Sequence, residues 1–553
     1  MTRMKSILSL IALLSCLVGS ISAQNQITFQ VDMSGAIERG LFEPSGGDSL
    51  VVRGSFNDWR GNGHPLALQV RPAIYAETYE LPGPPAGIVQ FKFVIVSQRL
   101  GEIWEWRPNP DNTDHGNRSL ILTGAPATIP GSTFDFDTQA GGDSPSFSVE
   151  ELREDFQQLR SVIEDSHPAL YVFTSEAAFD SLYEARSRLI NRPMTVDEFY
   201  TIVAPVVARI GCGHSRLWMP EGHWSGAPAK FFPLKLKFLN GKAYAVKYFG
   251  TKELLEPGSE IVAINGVPVT EIVETLMEGT TGDGFNRGYR LDRLERRFHL
   301  IYARFYGYPD EFRLTYFPHG DGDLQEQVVP SVGLAVIAGR IQGEPLLTIE
   351  VLEPESAAVV TINSFSYYDD LETFRQFTDT AFETIDELKI RNLILDLRDN
   401  DGGDPFAASY LLSYLAPRQI TYFAKPYGQY ISLAFPLPQR EKRFAGKVYT
   451  LTNGRCFSTT GHLCALMKYH EIGTFVGSET GGTYTCNDAV KVTTLENTQL
   501  QAQIARASFR VEVYGIRRDR GIVPDHEVEP RIEDVIEGTD TVKEYVLKLL
   551  TSS

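Results

Sequence analysis

None of the five cysteines stands at the Cys-x-x-Cys spacing of a zinc site, and five are too few to scaffold a chain of 553 residues with disulfides. No structural metal is therefore expected. Positive charge is also scarce: 52 Lys and Arg against 70 Asp and Glu leave a formal net charge of −18. That balance argues against a nucleic-acid partner or an anionic membrane surface. Beyond the N-terminus no stretch approaches the ~18–20 uninterrupted apolar residues of a membrane helix, so no transmembrane segment is expected in the mature chain. No acid pair in a recognisable glycosidase motif is present, which leaves a carbohydrate hydrolase without support.

What is present begins with a leader. Arg3 and Lys5 precede an apolar run from Ile7 through Val18, and Ser20-Ile21-Ser22-Ala23 supplies the small residues of a cleavage site. Residues 1–23 read as a signal peptide, and the mature protein is expected to be exported to a periplasm or the extracellular space. The remaining length is too great for one hydrophobic core. Residues 24–139 read as all-β, with alternating runs at Ile27–Val31, Ser49–Gly54 and Gln90–Val94 separated by Gly, Pro, Asn and Asp. Within them, Gly54-Ser55-Phe56-Asn57-Asp58-Trp59, Phe91-Lys92-Phe93, Trp104-Glu105-Trp106 and Asn117-Arg118 resemble the starch- and glycogen-binding β-sandwich modules. The resemblance implies that Trp59, Trp104 and Trp106 stack on sugar rings; packing in the core or between domains is the plainer use of such residues.

A linker at 140–147 leads to Ser148-Val149-Glu150-Glu151, a capping box that opens a helical lobe over 148–225. The texture from Phe231 to about Phe317 is β again. Its centre, Pro257-Gly258-Ser259-Glu260-Ile261-Val262-Ala263-Ile264-Asn265-Gly266-Val267-Pro268-Val269, resembles the strand-turn-strand of a PDZ domain, expected over 226–325. From 335 to 533 strands and helices alternate: strand Val359–Ile362, helix Leu371–Leu388, strand Leu393–Leu397, helix Pro405–Leu415, strand Val448–Thr452, helix Thr459–His470, strand Thr474–Val476. Such alternation predicts a largely parallel sheet covered by helices, with chemistry at the carboxyl ends of its strands. A C-terminal helix is expected over 534–553.

Ser458 lies where the strand pattern gives way to a helical one, after the Asn453-Gly454 break. Free N–H groups of a helix's first turn can stabilise an oxyanion there, although a serine at a helix start is more commonly a cap. Leu393-Ile394-Leu395-Asp396-Leu397-Arg398-Asp399-Asn400-Asp401-Gly402-Gly403 places paired glycines at a second strand end. Asp396 and Arg398 read as an internal ion pair. His214, flanked by Gly211-Cys212-Gly213, is a candidate base; His462 reads as surface or packing.

Taken in order, Cys212-Gly213-His214-Ser215, Ile264-Asn265-Gly266, Leu395–Gly403, Phe457-Ser458-Thr459, Val476-Gly477-Ser478-Glu479-Thr480-Gly481-Gly482 and Gly521-Ile522-Val523-Pro524-Asp525 resemble the tail-specific, or C-terminal processing, serine peptidases. That family includes the tricorn protease core and the interphotoreceptor retinoid-binding protein. The resemblance implies a crotonase-like α/β core with a helical lobe and a PDZ-like domain, and an exported endopeptidase that cleaves unfolded or extended polypeptide and needs no cofactor. It implies Ser458 as nucleophile, with oxyanion donors at Thr459 and at Gly402 or Gly403. Thr483 stands where one branch carries a lysine base, so the tricorn-like branch applies, with His214 as base. That branch has a serine and a glutamate where this chain has Gly213 and Arg518. Asp519 is then the nearest acid, or one member of a charged surface loop; Glu479 is in reserve, and Asp525 reads as a turn former. If His214 and Ser458 meet, Cys212 and Cys456 come near bridging distance, with two packed free thiols the simpler outcome. The departures at Gly213, Thr483 and Arg518 keep one alternative open, a ligand-binding protein without turnover on the same fold.

Overall fold

The computed structural model describes residues 25–38, 42–70, 73–83, 87–97, 101–104, 118–123, 125–129, 132–133, 146–220, 223, 230–250, 254–320, 322–334, 336–337 and 346–551. The expected signal peptide, Trp106 and most of the expected linker fall outside them. The chain divides into two compact units, one comprising Met1–Arg107, Asp114–Asp137 and Asn265–Pro268, the other the remainder.

In the N-terminal unit nine strands form one hydrogen-bonded network, whose main path begins with Gly101–Trp104 and runs through Ile88–Ser97, Ser49–Gly54, Pro65–Val70 and Ile74–Leu81 to Asn25–Asp32. Strands are ~4.8 Å apart in a flat sheet, so Phe29 on the first of these in sequence and Phe91, four places away, would be separated by ~19 Å. Their ring centroids lie 5.0 Å apart, so the network folds over on itself and buries Phe29, Val31, Val52, Phe93 and Ile95 between two layers. Trp59 is half-buried and sits at φ 58, in a turn where Gly54 N–H donates to Asn57 Oδ1 at 2.8 Å.

In the larger unit, helices Val149–Ser166, Glu176–Leu189 and Val196–Arg209 come first, followed by strand Arg216–Trp218. The capping box at the head of the first helix closes in both directions: Ser148 N–H donates to Glu151 Oε2 at 2.7 Å, and Glu151 N–H to Ser148 Oγ at 3.3 Å. Strands Leu234–Leu239, Lys242–Tyr248, Glu260–Ile264, Glu311–Phe317 and Gln325–Pro330 follow one another in one antiparallel path. The β reading of this stretch needs correcting at its centre, where helices Val269–Glu278 and Arg287–Tyr306 intervene. The second is started by Asn286, whose Oδ1 accepts the N–H of Tyr289 at 2.9 Å, a cap that outweighs the β-prone aromatics behind it.

The α/β part follows its predicted order. Six strands pair as Leu347–Leu352, Ala357–Ile362, Asn392–Asp396, Lys447–Thr452, Thr474–Gly477 and His526–Glu527, antiparallel at the first pairing and parallel afterwards. Helices Leu371–Glu387, Pro405–Leu415 and Thr459–Tyr469 accompany it. Leu395, Leu411, Leu463 and Phe475, all fully buried, join sheet and helices in one core. Asp396 and Arg398 do form an ion pair, at 2.6 Å, which Asp540 extends at 2.6 Å. The single C-terminal helix is two, Ile532–Glu537 and Thr541–Thr551, because Gly538 ends the first in a left-handed turn at φ 73. Among the described residues no helix is long and apolar enough to cross a membrane.

Candidate active site

Strand Lys447–Thr452 delivers the chain to Ser458, which precedes the first residue of helix Thr459–Tyr469. Ser458 has φ 54 and ψ −121, and its side chain makes no capping bond. A left-handed non-glycine backbone costs on the order of 1–3 kcal/mol and persists only where its surroundings enforce it. Here Phe457 N–H donates to Asn400 O, His462 N–H to Ser458 O and Gly482 N–H to Cys456 O. Asn400, fully buried, joins the two strand ends: its Oδ1 accepts Gly402 N–H at 2.9 Å and Thr460 Oγ1–H at 2.8 Å, while its Nδ2 donates to Ile362 O at 2.9 Å. A Cβ on Gly402 would lie 2.8 Å from the Ser458 Cβ, so only glycine fits against the serine.

Of the expected oxyanion donors, Gly402 is corrected: its N–H is already given to Asn400. The N–H groups of Gly403 and Thr459 have no hydrogen-bond acceptor among the described residues, and the two residues are tied by Thr459 Oγ1–H donating to Gly403 O.

The histidine arrives from the end of the helical lobe. His214 Nε2 lies 3.1 Å from Ser458 Oγ, and its backbone O accepts Gln503 Nε2–H at 2.9 Å. Its ring rests on Phe457 (centroids 4.8 Å apart), which in turn stacks on Tyr289 at 4.1 Å. This packing explains Gly213, since a Cβ there would be 2.5 Å from the Phe457 ring. For Nε2 to accept the Ser458 proton, Nδ1 must carry the ring hydrogen. Nδ1 is buried without a partner, and so is Asp283 Oδ2. One ring nitrogen of His214, one Asp283 carboxylate oxygen and Cys212 Sγ lie within 4.8 Å of one another. Asp283 Oδ1 meanwhile accepts the N–H of Gly213, next to the histidine, at 2.8 Å. Asp488 Oδ2 stands 3.9 Å from His214 Nε2.

Burial pushes the His214 pKa below its ordinary value; Asp488 opposes that, and Arg216 and Arg293 reinforce it. Burial raises Asp283 to about 7, against the Gly213 N–H and the charges of Arg290 and Arg518. The imidazole is thus kept neutral, as a proton acceptor must be. Cys212, His214 and Asp283 have the chemistry of metal ligands, but burial lifts the Cys212 thiol to about 12, far from a thiolate, and Asp283 Oδ1 is taken; we assign no ion to them.

The other expected acids are occupied elsewhere. Asp519 is corrected: its carboxylate is bound by Arg517 Nε and Nη2 at 2.9 and 2.5 Å, and it makes no ion pair with His214. It reaches the site only through its backbone O, which accepts Phe285 N–H at 2.9 Å and so holds the loop carrying Asp283. Glu479 binds Arg520 and the N–H of Gly521, and Asp525 binds Lys468 and the N–H of Phe475. His462 is buried with both nitrogens unpartnered, beside Tyr422 and Phe423, and its pKa falls to about 3; it is packing. All four described cysteines are free and buried.

Asp283, Asp488, Asn400 and Gln503 are the site residues that sequence reasoning missed. The glycines on either side of Asp283 were the available signal, and Gly284 does adopt φ 56.

A family model described as Peptidase family S41 matches residues 356–528. A search of curated protein sequences finds no match. Among solved structures, mature CPAF is similar with a TM-score of 0.53 and 14% identity, over 73% of this chain and 99% of that one. Mature CPAF complexed with lactacystin gives 0.53 and 14%, over 73% and 100%. The photosystem II D1 C-terminal processing protease gives 0.38 and 15%, over 71% and 98%. At these identities the CPAF likeness is one of fold.

Proposed function

Residues 356–528 match the model of Peptidase family S41, and from that premise we propose that this chain is an exported serine endopeptidase acting on unfolded or extended polypeptide through an acyl-enzyme at Ser458. The observation that carries the reading is the 3.1 Å contact between Ser458 Oγ and His214 Nε2, made at a strained serine above unused N–H groups. In the reaction, His214 Nε2 takes the hydroxyl proton as Oγ bonds to the scissile carbonyl carbon. The carbonyl oxygen gains the negative charge and is received by the N–H groups of Gly403 and Thr459. The imidazolium then gives its proton to the leaving amine as the C–N bond breaks, and water hydrolyses the ester by the same route. Asp283 is the positioning acid: its unpartnered Oδ2 accepts the Nδ1–H of the charged ring. Asp519 is not retained in that role.

The leader at 1–23 supports export. The PDZ-like segment admits or recruits substrate, and the N-terminal module, with Trp59, Trp104 and Trp106, attaches the enzyme to a glycan. The intact Ser–His contact weighs against a binding protein without turnover.

The test is incubation of the mature protein with a reduced, alkylated polypeptide and with the same polypeptide folded. Cleavage of the unfolded form alone, abolished by Ser458→Ala, is expected. No cleavage of either form by well-folded wild type would overturn the reading.

A further inference from the structure

Two and four residues beyond His214, on strand Arg216–Trp218, stand Arg216 and Trp218. They line a cavity of about 30 Å³ together with Arg293, Arg297, Arg304, Thr280 and Thr281. Four arginines thus line one small space, and among the described residues no Asp or Glu lines it. Trp218 lies between two of them, with Arg216 Cζ 5.4 Å and Arg297 Cζ 5.8 Å from its ring. Arg293 Nη1 donates to Thr281 Oγ1 at 3.0 Å, and Arg304 Nη1 to Tyr200 OH at 3.3 Å. Among the described residues none of Arg216, Arg293 and Arg297 forms an ion pair, and Arg216 Nε is buried without an acceptor.

Clustered cations of this kind are costly, because burial and mutual repulsion both disfavour the charge. The guanidinium pKa values of Arg216 and Arg297 are lowered for these two reasons, with Arg293 the strongest repelling neighbour of each. Other arginines nearby are paired with acids: Arg296 with Asp292 and Arg455 with Asp401. The cluster lies beside the candidate active site, close enough for Arg216 and Arg293 to act on His214.

We propose that this cavity is a carboxylate subsite, which Arg216, Arg293 and Arg297 use to fix a substrate peptide near Ser458. The inference rests on the peptidase reading for its substrate. A cavity of this size has room for the head of a side chain and not for a folded ligand. Guanidinium forks match a carboxylate's two oxygens. The aromatic face of Trp218 holds two forks in place.

The test separates binding from turnover by using Ser458→Ala protein and calorimetry. Amidated peptides carrying one Glu, scanned through successive positions, are compared with the same peptides carrying Gln. At one position Glu is expected to bind at least 10-fold tighter, and Arg297→Gln or Arg293→Gln to bring that ratio to about 1. A preference seen only when the C-terminus is left free would support the subsite and assign its carboxylate to the chain end. Equal binding of every Glu/Gln pair, with free and amidated ends alike, would overturn the proposal. Since no cleavage is involved, failure here is distinct from failure of Ser458 as a nucleophile.

Discussion

Ser458 and His214 meet at 3.1 Å, yet they are held by different means. The serine is fixed by backbone: a φ of 54, glycine packed against its Cβ, a main-chain bond from the preceding Phe457 to Asn400 and one from His462 to its own carbonyl. The histidine is fixed by side chains from distant segments, with Asp283 on the preceding glycine's N–H, Gln503 on its carbonyl and Phe457 under its ring. A backbone-held group tolerates little change around it, because a displaced main chain carries its neighbours along. A side-chain-held group can be loosened one contact at a time. The geometry of Ser458 is therefore tied to the fold, and that of His214 to a few replaceable contacts.

The largest effect that bears on this contrast is loss of either partner. Ser458→Ala and His214→Ala are each expected to lower kcat by about 10³-fold or more while leaving thermal unfolding nearly unchanged, since members of such a unit fail together. Assayed against unfolded substrate with circular dichroism alongside, a variant that kept most activity would break the pairing.

Asp283→Asn comes next, with kcat falling about 10²–10⁴-fold and KM little changed. Its pH profile sharpens the contrast further. Burial raises Asp283 to about 7 and lowers His214, so wild-type kcat/KM should rise as pH increases through about 7, where the carboxylate forms. In Asp283→Asn that limb disappears, and the one left, from His214, lies below the ordinary histidine value of 6.5. Stability carries the opposite sign. An acid raised on folding contributes fully below its unfolded pKa of 3.8, and that contribution is lost as pH rises through about 7. Asp283→Asn should therefore compare better with wild type at pH 8 than at pH 5 in thermal melts.

On the serine's side, Asn400→Leu leaves the Gly402 N–H and the Ile362 carbonyl without their partner. It is expected to destabilise the larger unit by about 1–3 kcal/mol and to lower kcat as the turn relaxes, read by denaturant unfolding beside the peptidase assay. The smallest expected change is Gln503→Leu, which removes one neutral bond to the His214 carbonyl and one from Trp218. A loss of a few-fold in kcat, about 1 kcal/mol, with unaltered stability would be in keeping with a base held by separable contacts.

The same division decides how much could be read from the chain. Helix Pro405–Leu415 and the parallel strands were legible because their apolar runs and breaks are local. Ser458 and the glycines were legible for the same reason: a strand end, a turn and a helix start are written in neighbouring residues. The acid was not. Asp519 was favoured for its place in the order of motifs, but Arg517 stands two residues away and takes its carboxylate. Asp283 lies 70 positions from the Gly213 it binds, in a loop between helices that the β reading did not anticipate. Gly213 itself looked like a departure from a catalytic pattern until the Phe457 ring was found in the space of its missing side chain. Contacts between loops far apart in the sequence leave no local pattern.

The central claim is that His214 activates Ser458. Its most direct test is labelling of the mature protein with a fluorophosphonate probe, followed by peptide mass spectrometry of the adduct in wild type, Ser458→Ala and His214→Ala. Stoichiometric modification at Ser458 in wild type, absent from both variants, is the predicted result. Folded wild type that stays unlabelled, or labelling of Ser458 that persists at full rate in His214→Ala, would contradict it.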